Sequence, residues 1–187
     1  MAAPSTGRRE RKRAQTRRAL ADAAKHLFLE RGFDAVTVTE VAEAADVSVS
    51  TLFQHFESKE ALIFERDDGV EAAWVATVAE RTPGTSVLHA LRDGLVEGIG
   101  AGPTPEIREL VERTPALSLH LARMWTRYVQ ALAPAVAEAT GLDIGDVRVE
   151  AFSRYVVLVP SITRSCEDRA AAVRELFDLL EMGWGDF

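Results

Sequence analysis

Ser48, Val49, Ser50, Thr51, Phe53, Gln54 and His55 stand together in a chain of 187 residues. Hydroxyls donate and accept hydrogen bonds. A Gln amide offers a donor and an acceptor side by side, the pairing that matches an adenine edge. This is hydrogen-bonding chemistry rather than bond-breaking chemistry. No nucleophile motif, no paired carboxylates and no His-Glu-x-x-His accompany it. His26, His89 and His120 are isolated along the chain and Cys166 is its single cysteine, so neither a metal site nor a disulfide framework is expected. The glycine-rich run from Gly94 to Gly102 lacks the preceding strand of a phosphate-binding loop. No enzyme is expected and no cofactor is called for.

Cations surround the polar run. Residues 1–25 carry a net charge of +6, whereas the remainder carries −13. A basic end on an acidic body suits contact with a polyanion at one end only, although a solubilising terminus would leave the same pattern. Residues 1–13 read as a flexible basic arm able to enter a minor groove. Arg17, Arg18, Thr37 and Lys59 are candidates for phosphate contacts. Lys59 falls in the expected first turn of a helix, where the dipole disfavours a cation. A nearby polyanion accounts for it better than helix stability, with a solvated lysine as the alternative.

The elements that must hold these groups are helical. Leu20, Ala23, Ala24, Leu27 and Phe28 follow the i, i+3, i+4, i+7, i+8 spacing, giving a helix from about Arg11 to Arg31 that stops at Gly32. Thr37 and Glu40 form a capping-box pair for a short second helix. Ala45-Asp46-Val47-Ser48 reads as a tight turn, with Asp46 taking the left-handed conformation and Ser48 capping the next helix. Two short helices around such a turn make a helix-turn-helix, with Val41, Val47, Leu52 and Phe56 as its core. Val49, Ser50, Thr51, Gln54 and His55 are then left to point outward. Ser58 is expected to cap a long fourth helix reaching about Arg81, and the acidic trio Glu65, Asp67 and Asp68 to face solvent. Later stripes, caps and Pro/Gly breaks bring the expected total to about nine helices in an all-α fold. No run approaches the roughly 20 apolar residues of a membrane span. The basic N-terminus lacks the apolar stretch of a secretory signal, so a cytoplasmic protein is expected.

Phe33 to Val38, Val41-Ala42, Ala45 to Ser48, Thr51 to Phe53, His55-Phe56 and Ser58 to Leu62 closely resemble the DNA-binding region of the tetracycline-repressor (TetR) family, over about residues 14–64. Two positions depart: Asp46 stands where glycine is usual, and Phe53 stands for the usual tyrosine and lacks its phosphate-contacting hydroxyl. Glu112 to Leu117, Trp125 to Tyr128 and Gly141 to Asp143 are similar to a narrower group within that family, the acyl-CoA-like ligand-binding domain of regulators of the mycofactocin-system type. The resemblance implies a homodimeric repressor that leaves a double-stranded operator when a small apolar effector, acyl-CoA among the candidates, occupies its second domain. It implies an arm at residues 1–13, a helix-turn-helix domain at 14–62 and a ligand-binding and dimerisation domain at 63–187.

Two groups of apolar residues bear on that second domain. Trp74, Leu91, Leu95, Leu121, Met124, Trp125 and Tyr128 could line a ligand cavity between helices, although such a stripe is more often plain core. Arg113, Arg123 and Arg127 could meet an acyl-CoA phosphate or only solvent. The eighth helix is apolar on two sides, one bearing Phe152, Val156 and Val159, the other Tyr155, Leu158 and Ile162. The ninth shows Val173, Leu176, Phe177 and Leu180. A helix apolar on two sides is covered on both, which assigns Phe152, Val156, Val159, Val173, Leu176, Phe177 and Leu180 to a dimer interface. The other readings are a regulator of the same family without a small ligand, a helical enzyme, and a DNA-packaging protein.

Overall fold

The computed structural model describes residues 5–64, 69–98 and 103–184. Among them are nine α-helices and no strand: α1 (Ser5–Arg31), α2 (Val38–Ala44), α3 (Val49–His55), α4 (Val70–Ala79), α5 (Val87–Glu97), α6 (Pro105–Arg113), α7 (Pro115–Thr140), α8 (Val147–Ile162) and α9 (Arg169–Trp184). The all-α expectation holds, and most boundaries have a local cause. Gly32 ends α1 at φ +86°, a backbone that L side chains rarely adopt. Thr104 accepts from the Ile107 N–H while Pro105 opens α6. Asp146 caps α8 through the Arg148 N–H. Gly141 follows α7 at φ +70°.

The chain divides into two compact units. The first comprises α1 to α3, the following 3-10 turn Glu60–Leu62, and residues Pro103–Leu121, which carry α6 and the opening turns of α7. Leu20, Phe28, Val41, Leu52 and Leu62 are wholly buried there, together with Leu110 of α6 and Leu117 of α7, in one apolar core. Each such side chain contributes roughly 1.5–3 kcal/mol of transfer free energy. The Phe28 and Phe33 rings meet edge to face with centroids 5.0 Å apart. Phe64 stacks on His120, centroids 5.2 Å apart.

The second unit comprises α4, α5, the rest of α7, α8 and α9. Phe152 of α8 and Phe177 of α9 are fully buried in it. α5 packs on α9 and on α4. Gly94 permits that second approach, since a Cβ there would lie 3.0 Å from Thr77 Cγ2. Trp74 of α4 and Tyr128 of α7 meet edge to face with centroids 5.5 Å apart, beside an ion pair of Arg127 with Glu71 at 3.1 Å.

Two expected elements differ. α1 begins at Ser5, about six residues early, because its Arg, Lys and Glu residues favour helix. The helix expected from Ser58 to about Arg81 is instead a 3-10 turn and a separate α4. Gly69 precedes α4 at φ +87°, and no regular helix passes through that conformation. The Asp-Asp-Gly sequence before α4 was the available signal. Glu65, Asp67 and Asp68 lie outside the described residues.

Candidate nucleic-acid interface

The reading head is assembled by caps. Glu40 N–H donates to Thr37 Oγ1 at 3.2 Å, and Thr37 N–H donates to Glu40 Oε2 at 2.8 Å, so the capping box closes in both directions. Arg31 donates to the same carboxylate at 2.7 Å. The Thr37 N–H and the Arg31 guanidinium together hold the Glu40 carboxyl down at about 2. Asp46 takes the left-handed turn conformation at φ +54°, as its position demands. Ser48 Oγ accepts from the Thr51 N–H at 3.1 Å and lies 2.8 Å from the hydroxyls of both Ser50 and Thr51. The Thr37 and Ser48 hydroxyls are thus engaged in starting α2 and α3.

α3 presents a divided face. Leu52 is fully buried and Val49 packs on the head core. Ser50 and Gln54 are exposed, and Phe53 is 51% exposed. Thr51 and His55 are half-buried. His55 does not point outward as expected. Its Nδ1 is enclosed without a hydrogen-bond partner, and burial, with the charges of Arg13 and Arg17, holds its pKa below the usual imidazole value. The base-edge chemistry on offer is therefore concentrated in Ser50, Gln54 and the ring of Phe53.

Two of the expected phosphate ligands turn toward the protein. Arg17 Nη1 donates to the His55 carbonyl, and its guanidinium carbon stands 4.1 Å from the Phe56 ring centroid. Lys59 Nζ donates to the Phe33 carbonyl at 2.5 Å and stands 4.2 Å from the Phe33 ring centroid. Burial lowers the Lys59 pKa. The sequence marks Phe56 as core and gives no sign of the Phe33 and His55 carbonyls as partners, because it shows cations but not the acceptors they will find. Arg8, Arg9, Arg11, Lys12, Arg13 and Arg18 are exposed on α1. A helix of about 10–12 Å diameter does not fit a minor groove of about 6 Å, so these turns cannot thread one as an extended arm would.

A model of bacterial regulatory proteins of the tetR family matches residues 20–65, which span α2, α3 and their flanks. The HTH-type transcriptional regulator TcmR of Streptomyces glaucescens is 33% identical over 151 residues, covering 75% of this chain and 67% of that protein. The chain belongs to the TetR family. Solved structures share the fold of this TetR-family chain across most of its length. GusR of Salmonella enterica superposes with a TM-score of 0.56 at 22% identity, over 89% of this chain and 94% of that one. The TetR family repressor AlkX of Dietzia sp. does so with 0.54 at 20% identity, over 89% and 96%. The molecule is a DNA-binding transcriptional regulator, and the relatives it matches are named as regulators rather than enzymes.

In this TetR-family chain the apolar candidates separate. Leu91, Leu95, Met124 and Tyr128 are buried in the second unit, with Trp74 and Trp125 half-buried there. Leu121 instead packs on the core of the first unit, because it lies at the last head-associated turn of α7. Arg113 and Arg123 are exposed, while Arg127 is held by Glu71.

The dimer assignment needs correction. Phe152, Val156, Val159 and Phe177 are wholly buried within one chain, with Val173 at 2% and Leu180 at 7% exposure; Leu176 is half-buried. Of the two apolar sides of α8, the one first assigned to a partner packs inward. Leu158, Ile162, Leu179 and Met182 are exposed at 40%, 52%, 53% and 78%. The Tyr155 hydroxyl donates to the Leu176 carbonyl at 2.8 Å, joining α8 to α9 beside Leu158 and Leu179.

Among the described residues no three His, Cys, Asp or Glu side chains gather where a metal could sit, and no helix is long and apolar enough to cross a membrane.

Proposed function

We propose that the protein is a cytoplasmic, homodimeric repressor that holds a palindromic operator and releases it when a small apolar, acyl-bearing effector binds the second unit. Ser50, Phe53 and Gln54 read bases in the major groove, supported at the margins by Val49 and Thr51. Arg18 and the exposed cations on its flank of α1 meet phosphates, and Thr37 and Ser48 set the two helices at the backbone. The observation that carries this reading is the exposed Ser50–Phe53–Gln54 face on a capped helix whose opposite side is closed by Leu52.

Dimerisation is supported by the exposed apolar residues of α8 and α9, since a symmetric pair presents two reading helices to a two-fold site. Trp74, Leu91, Leu95, Met124, Trp125 and Tyr128 are the candidate effector contacts. Their apolar character and the resemblance of residues 112–143 to acyl-CoA-responsive regulators favour the acyl portion of a ligand. The ion pair of Arg127 with Glu71 argues against Arg127 as its phosphate ligand. Regulation follows from linkage: an effector that prefers a head spacing incompatible with the operator must weaken DNA affinity.

The test combines selection and mass. A random-sequence duplex library enriched by the protein should yield a two-fold symmetric site, and Gln54→Ala should cost about 1–3 kcal/mol on that site alone. Native mass spectrometry with a long-chain acyl-CoA, and separately with the matching fatty acid, should show a dimer that gains one of them. An asymmetric half-site or a persistent monomer would refute the dimeric reading. Failure of both probes to bind or to release DNA would refute the acyl effector.

A further inference from the structure

The reading helix α3 has seven residues, too few to hold a direction by its own hydrogen bonds. Its attitude is set by what grips it. Leu52 anchors the middle and Ser48 starts the helix. The last carbonyls of a helix lack intrahelical donors and sit at the negative end of its dipole. Arg17 supplies a donor to one of them, the carbonyl of His55, with its guanidinium laid over Phe56 in the next position. Lys59 then ties the turn after α3 to the corner between α1 and α2, through the Phe33 carbonyl and ring. Both contacts share one design: a cation donating to a backbone oxygen with an aromatic face against it. Such charge-assisted bonds are shorter and stronger than neutral ones, and the ring adds attraction on a second side.

We infer that Arg17 and Lys59 are positioning residues that set sequence discrimination by fixing α3 against the head, rather than by neutralising DNA phosphates. The salt-dependent part of binding then falls to exposed cations such as Arg8, Arg11 and Arg18. The partial burial that lowers the Lys59 pKa accords with a side chain turned onto the head. The inference rests on α3 being the base-reading helix.

The experiment measures equilibrium binding of the full chain to two duplexes over a range of KCl: one enriched from a random library by the wild-type protein, and a shuffled version of it. Lys59→Gln and Arg17→Gln are expected to weaken the enriched duplex about 10-fold or more, the scale of one lost base contact. They should leave the shuffled duplex within about twofold and leave the slope of log affinity against log salt unchanged, because no released counterion is lost. Lys59→Arg, which keeps a cationic donor, should restore discrimination. Arg18→Gln should weaken both duplexes alike and flatten the slope by about 0.9 for each phosphate contact removed.

A flattened slope for Lys59→Gln, with equal loss on both duplexes, would make it a phosphate ligand and overturn the inference. Equal loss at unchanged slope, with a lower melting temperature and no rescue by Lys59→Arg, would reduce it to fold maintenance and overturn it as well. Gln54→Ala separates the two levels. If it abolishes discrimination, the α3 reading stands and the Lys59 and Arg17 results judge the inference alone. If discrimination survives it, the α3 reading has failed, and the inference falls with it.

Discussion

The two units treat their surfaces in opposite ways. In the head, Thr37, Glu40, Ser48, Arg17 and Lys59 are engaged by caps and backbone carbonyls, and the exposed face of α3 combines hydroxyl, amide and one ring. In the second unit, large apolar side chains stand exposed among the charged ones. Of the nine large hydrophobic side chains exposed among the described residues, six belong to it: Ile144, Val147, Leu158, Ile162, Leu179 and Met182. One face is built to exchange hydrogen bonds with a polar edge, the other to be covered by something equally apolar. Exposure alone does not identify a function; the chemistry of what is exposed does.

That contrast can be broken at several points. The largest effect is expected on the inner side of the α8–α9 pair. Phe177→Ala should destabilise the second unit by about 3–5 kcal/mol, read as a lost or lowered thermal transition. On the outer side, Leu158→Asp should leave folding intact and shift sedimentation from dimer to monomer. Operator affinity should then drop roughly 100-fold as the advantage of linked heads is lost. If Leu158→Asp stays dimeric, the exposed apolar stripe is not the pairing face.

Smaller effects belong to the head. Thr37→Ala removes one half of the capping box and should cost about 1 kcal/mol, measured by chemical denaturation, with no change in dimer mass. The smallest is a pH effect. Because the His55 pKa is lowered on folding, the unfolded chain binds the proton more readily. The stability that His55 contributes is present above its ordinary value of 6.5 and is lost as pH falls through that value toward the folded one. The melting temperature of the wild type should therefore drop more between pH 7.5 and pH 5.5 than that of His55→Gln. Equal drops would mean that the imidazole is not the group responsible.

Much of this was legible in the chain because it depended on neighbours in sequence. The Thr37–Glu40 box, the left-handed Asp46 and the Ser48 cap each need only residues within a turn of one another. What was not legible depended on choices made across the fold. α8 offers two apolar sides, and periodicity cannot say which one turns inward; the answer lies in the burial of Phe152, Val156 and Val159 within one chain. A lysine or arginine announces a charge, but whether it finds a phosphate or the carbonyl of Phe33 or His55 depends on a loop closing beside it. The continuous fourth helix failed for a local reason that was present in the sequence, the Asp-Asp-Gly before Val70, outweighed by a good cap at Ser58. Leu121 shares the apolar stripe of α7 with Met124 and Tyr128, yet the head core claims that helix as far as this position.

The early start of α1 sorts its positive side chains by direction. At 3.6 residues per turn, Arg9, Arg13 and Arg17 fall along one flank of the helix, whereas Arg8, Arg11, Lys12 and Arg18 fall broadly along the opposite one. The first flank faces the far end of α3, in keeping with the influence of Arg13 and Arg17 on His55. A rigid rod cannot turn both flanks to the same strand at once. The number of ions displaced from a duplex by each α1 should therefore track the membership of one flank, well short of the full tally of its basic residues.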